Sequence, residues 1–155
     1  MINDGDKAPD FTLPTDDGEP ISLRKLNGKP VVLYFYPKDD TSGCTQEAKE
    51  FSCLIDRFIA AGAVVVGVSP DSAKSHQKFR TKYDLSVRLA ADEEKTVSEL
   101  YGVWVEKSMY GRKYMGVERS TFLIDKAGKI ARSWRKVKVP GHAEEVLTAV
   151  EALKR

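Results

Sequence analysis

The chain has 155 residues, with 25 basic and 23 acidic side chains (formal net charge +2), 41% hydrophobic and 31% charged residues, and two cysteines. A chain this long buries about 70% of the surface it exposes when unfolded, so one core spanning 1–155 as a single domain is expected, without disulfide staples. The balanced charge gives no drive toward nucleic acid, no run reaches the roughly 20 apolar residues of a membrane span, and the polar start around Asn3 and Asp4 is no secretory signal. The expected compartment is a reducing cytoplasm, where a cysteine is reactive or inert rather than bridged.

In chain order, two short apolar pieces between Phe11 and Leu23 flank Asp17-Gly18 and read as an N-terminal β-hairpin. A helical turn over Leu23–Asn27 ends near Gly28. Val31-Val-Leu-Tyr-Phe-Tyr36 is apolar throughout and suits a strand covered on both faces. Pro37 to Gly43 is a loop rich in turn residues. Cys44, Ala48, Phe51, Ile55, Phe58 and Ile59 then share one helical face, up to a stop at Gly62. Val64–Val68 is a second buried strand, and Ser69–Ser72 opens a helix carrying Phe79 and Tyr83.

Val87–Ala90 is a short strand, and Thr96–Tyr101 a brief helix stopped at Gly102. Tyr101 to Met115 is rich in aromatics and reads as a loop broken at Gly111-Arg-Lys113, either beside a site or covering a sheet edge. Arg119–Asp125 and Ile130–Trp134 form a hairpin around Lys126–Lys129. A final amphipathic helix runs from Ala143 to Lys154. The order implies an α/β fold with a mixed central β-sheet flanked by helices. Chemistry in such sheets gathers at the carboxyl ends of the strands, and the loop after Tyr36 leads from one such end into Cys44.

Cys44 falls at a helix N-terminus, whose free N–H groups and positive dipole end favour an anion such as a thiolate. By position alone it could equally be a small buried hydrophobe. The surrounding Pro37-Lys-Asp-Asp-Thr41-Ser-Gly-Cys44 resembles the active-site signature of the peroxiredoxins, thiol peroxidases with a thioredoxin-like fold. Ala8-Pro-Asp-Phe11, Gly116–Asp125 and Trp134-Arg-Lys-Val extend the likeness along nearly the whole chain, toward the Q-type or bacterioferritin comigratory branch.

The resemblance implies that Cys44 attacks a hydroperoxide, with Thr41 hydrogen-bonding the reacting oxygens and Arg119 stabilising the thiolate and the departing oxygen. Pro37 would shield the sulfur, and the Gly43 and Cys44 N–H groups would complete an anion site. Glu47 suits the first helical turn and could orient Arg119. Relatives carry a resolving cysteine five or some 36 residues further on, where this chain has Lys49 and Arg80.

Cys53 lies nine residues from Cys44, about 13 Å along a helix and on nearly the opposite side, beyond disulfide reach unless the helix unwinds. It reads as a structural thiol partly packed against the sheet, with a resolving role as the alternative. A one-cysteine cycle follows, recycled by an external thiol: thioredoxin, a glutaredoxin or a glutathione-type small thiol. No cofactor or metal is expected, and the family resemblance suggests a monomer.

Rival readings are a hydrolase pairing Cys44 with His142 and a non-catalytic binding or chaperone-like module. The basic stretch from Lys126 to Lys138 reads as a solvated face, or as a docking patch for an acidic reductant protein or nucleic acid.

Overall fold

A computed structural model describes residues 2–153. The expected last helical residue, Lys154, lies outside the described residues. The N-terminal hairpin forms from β1 (Thr12–Leu13) and β2 (Ile21–Ser22), followed by a 3₁₀ turn at Leu23–Leu26. Then come β3 (Val31–Phe35), α1 (Ser42–Cys53), α2 (Ile55–Ala60), β4 (Val64–Ser69), α3 (Ala73–Tyr83), β5 (Arg88–Ala91) and α4 (Thr96–Leu100). A second hairpin, β6 (Trp104–Met109) and β7 (Arg112–Val117), precedes β8 (Ser120–Ile124), β9 (Ile130–Trp134) and α5 (His142–Ala152).

The central sheet has the order β5-β4-β3-β8-β9, with β3, β4 and β5 parallel and β8 and β9 antiparallel. This is the mixed sheet that the alternating pattern implied. All five β3 residues are buried because both faces are covered. Val32, Tyr34 and Tyr36 point into the cluster shared with α1, α2, α3 and α5. Val31, Leu33 and Phe35 point into the opposite cluster, with Phe11, Tyr101 and Phe122. Tyr34 stacks on Phe51 of α1 at 4.6 Å. Its register partner Gly67 must lack a side chain, since a Cβ there would meet the Tyr34 ring at 2.6 Å.

Three expectations are corrected. The helix after Cys44 breaks at Leu54 (φ −98°, ψ 5°), so α1 and α2 are separate and Ile59 is 62% exposed instead of buried. Cys53 ends α1 exposed, not packed against the sheet, because it lies half a turn away from the face that carries Cys44 and Phe51. Tyr101–Met115 is largely a hairpin, turned by Tyr110 (φ 52°) and Gly111 (φ 77°). Two consecutive left-handed residues are what a two-residue type I′ turn requires.

The basic stretch is not uniformly solvated either. Arg135 lies over Phe122 at 5.3 Å, and its guanidinium reaches the Gly102 and Ile2 carbonyls at 3.5 and 3.4 Å. Among the described residues, no helix is long and apolar enough to cross a membrane.

Candidate active site

Topology brings the site together. β3 ends at Phe35, and the chain returns through Pro37–Thr41 to start α1 beside that strand end. β8 runs antiparallel to β3 with Ser120 opposite Phe35, so Arg119 arrives at the same end of the sheet. The Arg119 carbonyl accepts from Val137 N at 3.0 Å, which fixes the backbone there.

Thr41 is the N-cap of α1, which makes Cys44 the third helical residue. The first intrahelical bond is Thr45 N to Thr41 O at 2.8 Å, so the N–H groups of Ser42, Gly43 and Cys44 precede the helical ladder. The Cys44 side chain is only 1% exposed, and Arg119 Nη2 donates to its Sγ at 3.2 Å. Arg119 Nη1 donates to Glu47 Oε1 at 2.6 Å. One planar guanidinium thus bridges a sulfur and a carboxylate, a fork geometry that a lysine ammonium cannot supply. Gly43 leaves room for it, since a Cβ at that position would lie 3.2 Å from Arg119 Nη2.

The electrostatics are governed by burial. Burial pushes the Glu47 carboxyl up to about 7, with Arg119 working against the shift. Burial also works against the Arg119 charge, but Glu47 and Cys44 outweigh it and hold the guanidinium above its usual value. Burial raises the Tyr34 hydroxyl well above its ordinary value, and Glu47 and Cys44 raise it further. Tyr34 Oη and Glu47 Oε2 are both buried without a hydrogen-bond partner among the described residues. Lys107 of β6 is pushed down by burial and then by the Arg119 charge, with Cys44 working against the shift.

The structure therefore brings Cys44, Arg119, Glu47 and Gly43 together. Thr41 differs in one respect. Its hydroxyl donates to the Lys38 carbonyl at 2.8 Å, so its proton is committed and only its lone pairs remain for a ligand. Pro37 is half-buried in the same loop. Cys53 is not part of this group, and among the described residues nothing hydrogen-bonds or pairs with its thiol.

His142 shares a hydrogen bond with Thr121 Oγ1 at 2.8 Å and packs edge-on to Phe51 and Trp134, so the sulfur's partner is Arg119 and the Cys44–His142 pairing is not formed. Burial pushes the His142 ring down to about 4. Lys49 lies over the Tyr83 ring at 4.9 Å. Arg80 pairs with Asp16 and donates to the Leu85 and Val87 carbonyls at 2.7 and 2.6 Å. Both positions where relatives would place a second thiol thus have work in the packing. Sequence reasoning missed Asp39 and His76, which are buried behind the loop.

Residues 5–133 match the AhpC/TSA family. The chain is 48% identical over 150 residues to peroxiredoxin Bcp of Bacillus subtilis, covering 97% of this chain and 96% of that protein. A cysteine-to-serine mutant of Xylella fastidiosa PrxQ superposes with a TM-score of 0.94 at 39% identity, covering 100% of this chain and 99% of that one. The Xanthomonas campestris bacterioferritin comigratory protein, solved as a trapped intermediate/ligand complex for its alkyl peroxide reduction activity, gives 0.88 at 43% identity, covering 92% and 90%.

Proposed function

Because the chain belongs to the AhpC/TSA family and is a thiol-dependent peroxidase, we propose that it reduces hydrogen peroxide and alkyl hydroperoxides through Cys44 alone. The observation that carries the reading is the Arg119 fork, which touches the Cys44 sulfur with one nitrogen and Glu47 with the other.

The Cys44 thiolate attacks the near peroxide oxygen, and the O–O bond breaks. The far oxygen leaves with the bonding pair and takes a proton, giving water or an alcohol and a Cys44 sulfenic acid. Arg119 and the helix N-terminus present positive potential first to the thiolate and then to the leaving oxygen, where charge develops. Thr41, whose hydroxyl donates to the Lys38 carbonyl, accepts from the peroxide O–H and orients it. Pro37 keeps the loop closed over the sulfur, and Gly43 admits Arg119. Glu47 holds the guanidinium in place; breaking such a pair at this depth costs about 3–5 kcal/mol.

Cys53 takes no part, and an external thiol restores the enzyme. A thioredoxin, glutaredoxin or glutathione-type thiol attacks the sulfenic sulfur, water leaves, and a second thiol clears the mixed disulfide. The protein acts as a monomer in a reducing cytoplasm, where both of its cysteines stay free between turnovers. The test is a panel of these three reductants with peroxide loss followed, on wild type and on Cys53→Ser. At least one reductant should sustain equal turnover in both proteins. Turnover lost in Cys53→Ser, with sulfenic acid still forming at Cys44, overturns the one-cysteine cycle.

A further inference from the structure

The loop between β3 and α1 is anchored by a helix that supplies nothing to the sulfur. Asp39 is 7% exposed, and its carboxylate collects three polar partners. Tyr36 Oη donates to Oδ1 at 2.6 Å, Ser75 Oγ donates to Oδ2 at 2.8 Å, and His76 Nδ1 meets Oδ2 at 2.7 Å. The other ring nitrogen, Nε2, faces the Ala90 carbonyl at 2.9 Å. A carbonyl only accepts, so Nε2 is the donor to Ala90, and the ring is held between that carbonyl and the Asp39 carboxylate.

The Asp39 N–H donates to Asp71 Oδ2 at 2.8 Å. Next to it, Asp40 sits at φ 58°, where a non-glycine residue persists only if its surroundings over-determine it. Its carboxylate is held by Lys82 Nζ at 2.8 Å and Tyr83 Oη at 2.6 Å. Ser75, His76, Lys82 and Tyr83 all belong to α3. The loop that carries Pro37 and Thr41 is therefore clamped from the far side of the site.

We propose that Asp39 and His76 are positioning residues for the peroxide step, acting through the loop to hold Thr41 and the first turn of α1 in place around Cys44. This rests on the assignment of Cys44 as the attacking residue. A fully satisfied buried network is stiff, and displacing a reacting group by about 1 Å costs up to about 10²-fold in rate. The two half-reactions need opposite things from the clamp. Peroxide needs the loop closed. The external thiol needs Cys44, which is 1% exposed, to be opened to it. Loosening the clamp should slow the first half-reaction without slowing the second, whereas general destabilisation weakens both.

The experiment compares wild type with His76→Leu and His76→Asn, whose amide N–H can replace the Nδ1 contact to Asp39. Cys44 oxidation by hydrogen peroxide is followed in a single turnover by oxygen uptake at that residue. Reduction of the preformed sulfenic acid by a small thiol is timed separately. His76→Leu should oxidise about tenfold more slowly, with thiol reduction at least as fast as wild type. His76→Asn should recover most of the oxidation rate.

An unchanged oxidation rate in His76→Leu, equal slowing of both steps, or no recovery in His76→Asn overturns the proposal. Should His76→Leu fail to fold, Ser75→Ala and Tyr36→Phe each remove a single donor to Asp39. Slower oxidation with unslowed reduction supports the clamp, and unchanged oxidation in both variants overturns it. Failure of the Cys44 assignment itself would look different, as oxygen uptake elsewhere in the wild-type chain.

Discussion

The two ends of α1 carry the same residue in opposite circumstances. At the N-terminal end, Cys44 is buried, sits before the helical ladder begins, and has the Arg119 guanidinium 3.2 Å from its sulfur. At the C-terminal end, Cys53 is exposed, lies at the negative end of the dipole, and its thiol has no partner among the described residues. Burial is usually what makes a cysteine inert. Here the buried thiol is the one equipped for chemistry, because burial comes with a cation, a carboxylate and a helix N-terminus. Exposure alone gives Cys53 access without activation.

The strongest way to break this comparison is Cys44→Ser, which removes the proposed nucleophile from the equipped end. Peroxide turnover should fall by about 10⁴-fold or more, and Cys53 should not rescue it. Arg119→Met keeps much of the packing and removes the fork. It should lower the rate of Cys44 oxidation by about 10²–10³-fold, measured in a single turnover. Thr41→Val removes the lone pairs proposed to receive the peroxide O–H and the bond to the Lys38 carbonyl. It should cost about tenfold or more, expressed in the peroxide step and not in the thiol step.

A smaller effect appears in stability. The Glu47 carboxyl loses its proton near 4.5 when unfolded but only at about 7 when folded. Between those values the folded state binds more protons, so raising the pH across the window destabilises. His142 acts in the opposite sense. Its ring is held down at about 4, against 6.5 when unfolded, so lowering the pH from 6.5 toward 4 destabilises. Where the windows overlap, the two largely offset each other. Glu47→Gln removes the first slope alone. Urea unfolding at the two ends of the Glu47 window should show stability rising with pH in the variant more than in wild type. Equal pH profiles would contradict the buried, raised Glu47.

The sequence made one half of α1's contrast readable and hid the other. The turn-rich loop and the helical spacing after it are local, so the helix N-terminus at Cys44 could be placed by inspection, while a reactive role for it came from the family resemblance. Arg119 needed the family resemblance, because it lies 75 residues from Cys44 and only the antiparallel register of β8 against β3 brings it there. The break at Leu54 left no signal. No glycine or proline marks it, and the apolar spacing runs on through Ile55, Phe58 and Ile59.

The second hairpin was hidden for another reason. Met109, Tyr110, Tyr114 and Met115 are all exposed, so no alternation of buried and exposed residues marks its strands. Only Gly111, read with the preceding residue as a two-residue turn, could have suggested it. Asp39 and His76 are 37 residues apart and join only when α3 packs behind the loop. Lone residues of these types, without spacing, carry no signal.

The most direct test of the contrast is residue-resolved mass analysis after one equivalent of hydrogen peroxide. A dimedone-type trap for sulfenic acid is present from the start. The expected result is the trapped adduct on Cys44, with Cys53 left as a free thiol and no internal disulfide. A Cys44–Cys53 disulfide, or an adduct appearing first on Cys53, would contradict it.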